Sequence, residues 1–180
     1  MELAVRYRHD AGQPTLARAF FPGEPVIHVN IRTLDHIVEK VAQKRFYARY
    51  NLLVRMSEEP TGVDDAIAAV VAEDRAQGYR WALSRSRRDA NATRRFEVRH
   101  TPAAPSMDAA DVWVTFDDGD VYTLWAATPA AIRRVAGEGA PFFYCPNLLV
   151  VREVRWDLLR DAVTALGLDI ALHGLRDSAA

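Results

Sequence analysis

The sequence predicts an α+β fold built by tandem duplication of a β-β-β-α-β-α unit, giving about eight strands and four helices around a pseudo-twofold axis. Two self-matches and one repeated pattern carry this expectation. At an offset of 96, Phe46 pairs with Phe142 and Asn51-Leu52-Leu53-Val54 with Asn147-Leu148-Leu149-Val150. The match continues ungapped through Asp65-Ala66, Ala69, Gly78 and Arg80, making ten identities over residues 46–80, where average composition gives roughly two or three. Upstream the offset is 95 and pairs Phe21 with Phe116, Val26 with Val121, Thr33 with Thr128 and Ile37 with Ile132. In both copies the apolar spacing changes from alternation to helical periodicity at the same place.

Leu3, Val5 and Tyr7 alternate with polar residues as a half-buried strand, which the polar run Asp10 to Pro14 breaks. Leu16 to Phe21 and Val26 to Ile31 form the arms of a hairpin across Pro22-Gly23-Glu24-Pro25; the second copy has Asp117-Asp118-Gly119-Asp120 at that turn. Thr33 and Thr128 stand just before the helical patterns Leu34-Ile37-Val38-Val41 and Ala131-Ile132-Val135. Each hydroxyl is placed to accept from an orphaned backbone N–H, so each is an expected N-cap. Leu52 to Val54 and Leu148 to Val151 are continuous apolar runs, as in central strands covered on both faces. A second helix follows each, with the stripes Val63-Ala66-Ile67-Val70 and Leu159-Ala162-Val163-Leu166. The expected organisation is a first repeat over 1–82, an arginine-rich linker over 83–95 and a second repeat over 96–180, the repeats packing as one composite domain. The cleft between them is the default place for a ligand.

Charge and composition exclude several functions. A net charge of −1 in 180 residues gives no whole-chain field toward nucleic acid or an anionic membrane. Lys40 and Lys44 are the sole lysines among 23 basic residues, which reads as the codon usage of a GC-rich bacterial genome. Cys145 is the single cysteine, so no intramolecular disulfide forms. The N-terminal residues lack the basic and apolar regions of a signal peptide, and no apolar run nears the ~20 residues of a transmembrane helix. A cytoplasmic protein is expected.

Residues with chemical potential are scattered. Arg85, Arg87, Arg88, Arg94 and Arg95 of the linker offer charge for phosphates, but no aromatic residues interleave with them to stack bases, so nucleic-acid contact by Arg85, Arg87 and Arg88 ranks below a solvated linker. Asp117, Asp118 and Asp120 suit a turn better than a cation, because no glutamate follows at calcium-loop spacing. His9, His28, His36, His100 and His173 form no metal or catalytic motif. His28 and Asn30 share one strand face, while Ile27, Val29 and Ile31 take the other. Asn51 and Asn147, beside Tyr47 and Tyr144, stand where an asparagine tolerates left-handed dihedrals at a strand entrance. His28, Asn30, Tyr47, Asn51, Tyr144 and Asn147 are thus the candidate ligand-binding residues, each with an ordinary structural role as its competitor. Cys145 lacks a neighbouring base, which favours a small packed residue over a nucleophile.

The stretch Val114-Thr115-Phe116-Asp117-Asp118-Gly119 with Phe142 to Val151 resembles a pattern in small bacterial proteins. That resemblance implies a bacterial, cytoplasmic protein and transfers no catalytic residue. With no phosphate loop, nucleophile elbow or paired carboxylates, and no metal or cofactor expected, an enzyme ranks third. First stands a non-catalytic binding or interaction protein, such as an inhibitor or immunity-type module acting on a protein partner or on its own copies. A small-molecule sensor using the cleft stands second. Unpaired polar groups in a concave pocket would favour the sensor, and a flat apolar or charged patch the interaction module.

Overall fold

A computed structural model describes residues 3–10, 12–49, 51–57, 61–76, 96–100, 107–117, 119 and 121–167. Among these, ten strands and four helices alternate. The first seven elements are β1 (Ala4–Asp10), β2 (Gln13–Phe20), β3 (Ile27–Thr33), α1 (Leu34–Lys44), β4 (Phe46–Ala48), β5 (Leu52–Arg55) and α2 (Val63–Ala76). They are followed by β6 (Phe96–His100), β7 (Ala109–Phe116), β8 (Val121–Ala127), α3 (Pro129–Ala136), β9 (Phe142–Tyr144), β10 (Leu148–Val151) and α4 (Trp156–Gly167).

The fold is therefore α+β, and among the described residues it has the four helices that the sequence predicts, but ten strands in place of the expected eight. The unforeseen pair is β4 and β9. Each is three residues long, too short for alternation to register, and each finds its hydrogen bonds on a distant strand. The strands form two five-stranded sheets, ordered β1-β2-β3-β5-β9 and β4-β10-β8-β7-β6. In the first sheet β9 runs antiparallel to β5 with Leu53 opposite Tyr144. In the second β4 runs antiparallel to β10 with Leu149 opposite Ala48. One strand from each half thus completes the sheet of the other.

Both expected hairpins form, β2 with β3 and β7 with β8. Both expected caps also form: Thr33 Oγ1 accepts from His36 N at 3.1 Å and Thr128 Oγ1 from Ala131 N at 3.2 Å. Helix α1 ends with Arg45 in the left-handed region at φ 70°, its N–H bonded to Val41 O, after which the chain enters β4 directly.

The apolar runs of β5 and β10 are buried along their whole length, and their alternation divides the core into three parts. Leu53 joins Ile27, Val29 and Ile31 of β3 beneath Ile67, Val70 and Val71 of α2. Leu149 and Val151 join Val112, Val114 and Leu124 beneath Leu159, Ala162 and Val163 of α4. Leu52, Val54, Leu148 and Val150 point the other way, into a central cluster with Leu34, Ile37 and Val41 of α1 and Ile132 of α3. No helix among the described residues is long and apolar enough to cross a membrane.

Candidate functional site: a basic cleft at the ends of two parallel strands

Strands β3 and β5 are parallel, with Arg32 opposite Val54 and Thr33 opposite Arg55. The connection between them carries α1, and in such a unit the crevice beyond the carboxyl ends of the strands is the usual ligand position. Here that position is a cavity of about 870 Å³. Its wall is formed by the β1–β2 hairpin end (Arg8 to Asp10, Gln13 to Leu16), the end of β3 (Asn30 to Thr33), α1 (His36, Lys40, Lys44), Phe46 to Arg49, Arg55 and, from the other half of the chain, Leu166.

The charge of that wall is one-sided. Arg8, Arg32, Lys40, Lys44, Arg49 and Arg55 line it, and among the described residues Asp10 is its one carboxylate. Among the described residues Lys40 has a carboxylate within ion-pair distance, Glu39 at 3.9 Å, and the other five cations have none. His36, Lys40 and Lys44 recur every four residues and so lie along one face of α1. Both lysines of the chain face this one cleft.

Local contacts hold several of these groups in place. Arg32 Nη1 donates to Thr15 O at 2.5 Å and to Ile31 O at 2.6 Å. The Arg49 guanidinium lies 5.3 Å above the Tyr47 ring, and His36 meets the same ring edge-on at 6.1 Å. Arg55 is the most deeply placed cation, 8% exposed. Its Nη1 donates to Gln13 Oε1, and its buried Nε has no hydrogen-bond partner. An unmatched buried donor on a charged group costs free energy that most proteins avoid. Desolvation pushes the His36 pKa below its usual value, and Arg32, Lys40 and Arg49 push it further down against Glu39. His36 therefore senses the surplus of positive charge.

No protein-family model, curated protein or solved structure matches this chain. The cleft is accordingly read from its own chemistry.

Of the residues singled out in the sequence, Asn30 and Tyr47 line the cavity. His28, Asn51 and Tyr144 are joined beside it by hydrogen bonds: Asn51 Nδ2 donates to His28 O at 3.3 Å and Tyr144 Oη donates to Asn51 Oδ1 at 3.3 Å. Asn51 is 3% exposed and left-handed at φ 44°, the structural role foreseen for it. Asn147 is different. Its φ is not positive, and its buried Oδ1 has no partner. Asn51 O and Asn147 O nevertheless accept from Asn30 N and Trp125 N at 3.0 and 2.9 Å.

Cys145 is half-buried, and desolvation raises its thiol pKa, which leaves it a protonated packing residue near Trp125 and Phe143. Among the described residues, no three His, Cys, Asp or Glu side chains gather at metal-binding spacing. The linker arginines, Arg85, Arg87 and Arg88 included, lie outside the described residues, as do Tyr50, Asp118, Asp120 and His173.

The sequence reading missed Arg8, Arg32, Lys40, Lys44, Arg49 and Arg55. Two signals were present. The four-residue spacing of His36, Lys40 and Lys44 marks one helix face, and Arg55 ends a strand that is otherwise apolar.

Proposed function

We propose that this is a non-catalytic binding protein whose basic cleft receives a small anionic ligand. The observation that carries the reading is the cavity itself, six cations against one carboxylate among the described residues, with Arg55 buried among them and short of partners. A volume near 870 Å³ falls within the range of about 300–1,000 Å³ usual for small-molecule pockets. Concavity and an unsatisfied buried donor favour a small ligand over a flat protein partner. The wall offers a sensor the means to bind.

We further propose that the chain arose by tandem duplication. Supporting this are the offset identities, the repeated order of elements, and the fact that Leu53–Tyr144 and Leu149–Ala48 are the same pair once shifted by 96. On that pairing Arg32 corresponds to Ala127, Arg49 to Cys145 and Arg55 to Val151. The basic residues are then no requirement of the repeated scaffold. Trp125 and Phe143, 5.8 Å apart, stand at the positions of Asn30 and Tyr47, and one copy specialised in charge while the other filled with aromatic rings.

Calorimetric titration of the full chain at physiological salt tests the binding reading, with citrate, orthophosphate, pyrophosphate and an oligo-aspartate peptide as titrants. Saturable one-to-one binding of a small anion, abolished by Arg32→Gln with Arg55→Gln, is the expected result. Absence of binding by every small anion overturns it. Oligo-aspartate binding tighter than any of them would put the interaction-module reading in its place.

A further inference from the structure

Resting on the anion-binding reading, we infer that the ligand carries two or more linked phosphate groups, as a free or esterified diphosphate does. The first reason is the amount of charge. Five cations without a carboxylate partner surround one cavity, and a single carboxylate or a lone phosphate leaves most of that excess unneutralised. A diphosphate concentrates several negative charges in a volume this cavity holds easily.

The second reason is direction. The cations come from β1, β3, α1, the segment after β4, and β5, so donors approach the cavity from several sides. A planar carboxylate accepts best within its own plane, whereas tetrahedral phosphate oxygens accept from many directions. Arginine is the residue whose forked donors suit phosphate oxygens in pairs, and four of the six cations are arginines. Arg55 adds a buried donor, Nε, that nothing in the described protein satisfies. A phosphate oxygen reaching it would remove the penalty that it otherwise incurs.

The third reason concerns how the charge is balanced. Diphosphate sites that work through a magnesium ion supply carboxylates to hold it, and among the described residues this wall has Asp10 alone. Here side chains do the neutralising, so magnesium competes with the protein for the ligand.

The test is the same calorimetry extended to pyrophosphate, tripolyphosphate, adenosine diphosphate, orthophosphate and citrate, with and without excess magnesium. Pyrophosphate is expected to bind at least tenfold more tightly than orthophosphate or citrate, and magnesium to weaken it. Adenosine diphosphate binding tighter than pyrophosphate identifies an ester as the source; equal or weaker binding identifies the linked phosphates alone. Arg55→Gln is expected to cost at least tenfold for pyrophosphate. Should that variant fold poorly, Lys40→Gln with Lys44→Gln, on the cleft-lining face of α1, is expected to weaken pyrophosphate more than orthophosphate. Citrate binding as tightly as pyrophosphate, or a requirement for magnesium, overturns the diphosphate inference and leaves the anion-binding reading standing. Failure of every anion overturns both.

Discussion

Tyr144 Oη donates to Asn51 Oδ1 across 3.3 Å, so a residue of β9 fastens the turn that precedes β5 in the other half of the chain. Asn51 meets three demands at once: it takes a left-handed φ of 44°, gives Nδ2 to His28 O and accepts from Tyr144. Asparagine is among the few side chains that enter the left-handed region readily. The bond lies beside the basic cleft, and Asn30, which lines the cleft, donates its backbone N–H to the Asn51 carbonyl.

Asn51→Ala is expected to destabilise by about 2 to 4 kcal/mol, because the left-handed backbone loses its tolerant side chain and two half-buried partners lose theirs. Asn51→Gly restores the backbone contribution alone and should recover about 1 kcal/mol. Tyr144→Phe should cost about 1 kcal/mol. Urea melts of the three variants settle it, and an unchanged midpoint for Asn51→Ala would show that the turn does not depend on this side chain.

Local pattern made much of this architecture readable. Thr33 and Thr128 cap helices because a hydroxyl before an apolar stripe has one obvious use, and Leu52–Val54 and Leu148–Val151 are buried strands because an unbroken apolar run has no wet face. What local pattern does not contain is pairing between distant segments. Phe46–Ala48 and Phe142–Tyr144 become strands only because β10 and β5 offer them open edges. The cleft was hidden for the same reason. Arg8, Arg32, Arg49 and Arg55 are separately unremarkable in the sequence, and the fold alone makes them neighbours. Asn147 marks the limit of arguing by repetition, since it keeps the backbone bond of Asn51 without the left-handed φ.

Arg55 gives a prediction about stability. Its guanidinium is buried with Gln13 as its one hydrogen-bond partner and without a carboxylate among the described residues. Replacing an inadequately paired buried charge by an apolar side chain of similar volume is often neutral or stabilising by about 1 to 4 kcal/mol. Arg55→Met should therefore leave the unliganded protein as stable as before, or more so, while removing anion binding. Midpoints from denaturant melts, read with and without pyrophosphate, separate the two effects. A fall of more than about 2 kcal/mol without ligand would mark Arg55 as a structural residue instead.

His36 gives a prediction about pH. Its pKa is lowered, first by desolvation and then by Arg32, Lys40 and Arg49, with Glu39 opposing; the Tyr47 ring also meets it edge-on. With the folded value below the unfolded one, this group's contribution to stability is complete above about pH 6.5 and is lost as pH falls through the folded value. A bound anion supplies the negative charge that the site lacks, which raises the His36 pKa in the complex. The complex then holds more protons than the free protein, so affinity rises as pH falls. Phosphate ligands titrate in the same range, and comparison with His36→Asn at each pH cancels that contribution. Between about pH 8 and pH 6, the ratio of wild-type to variant association constants should climb several-fold. A ratio independent of pH would place the bound anion away from His36.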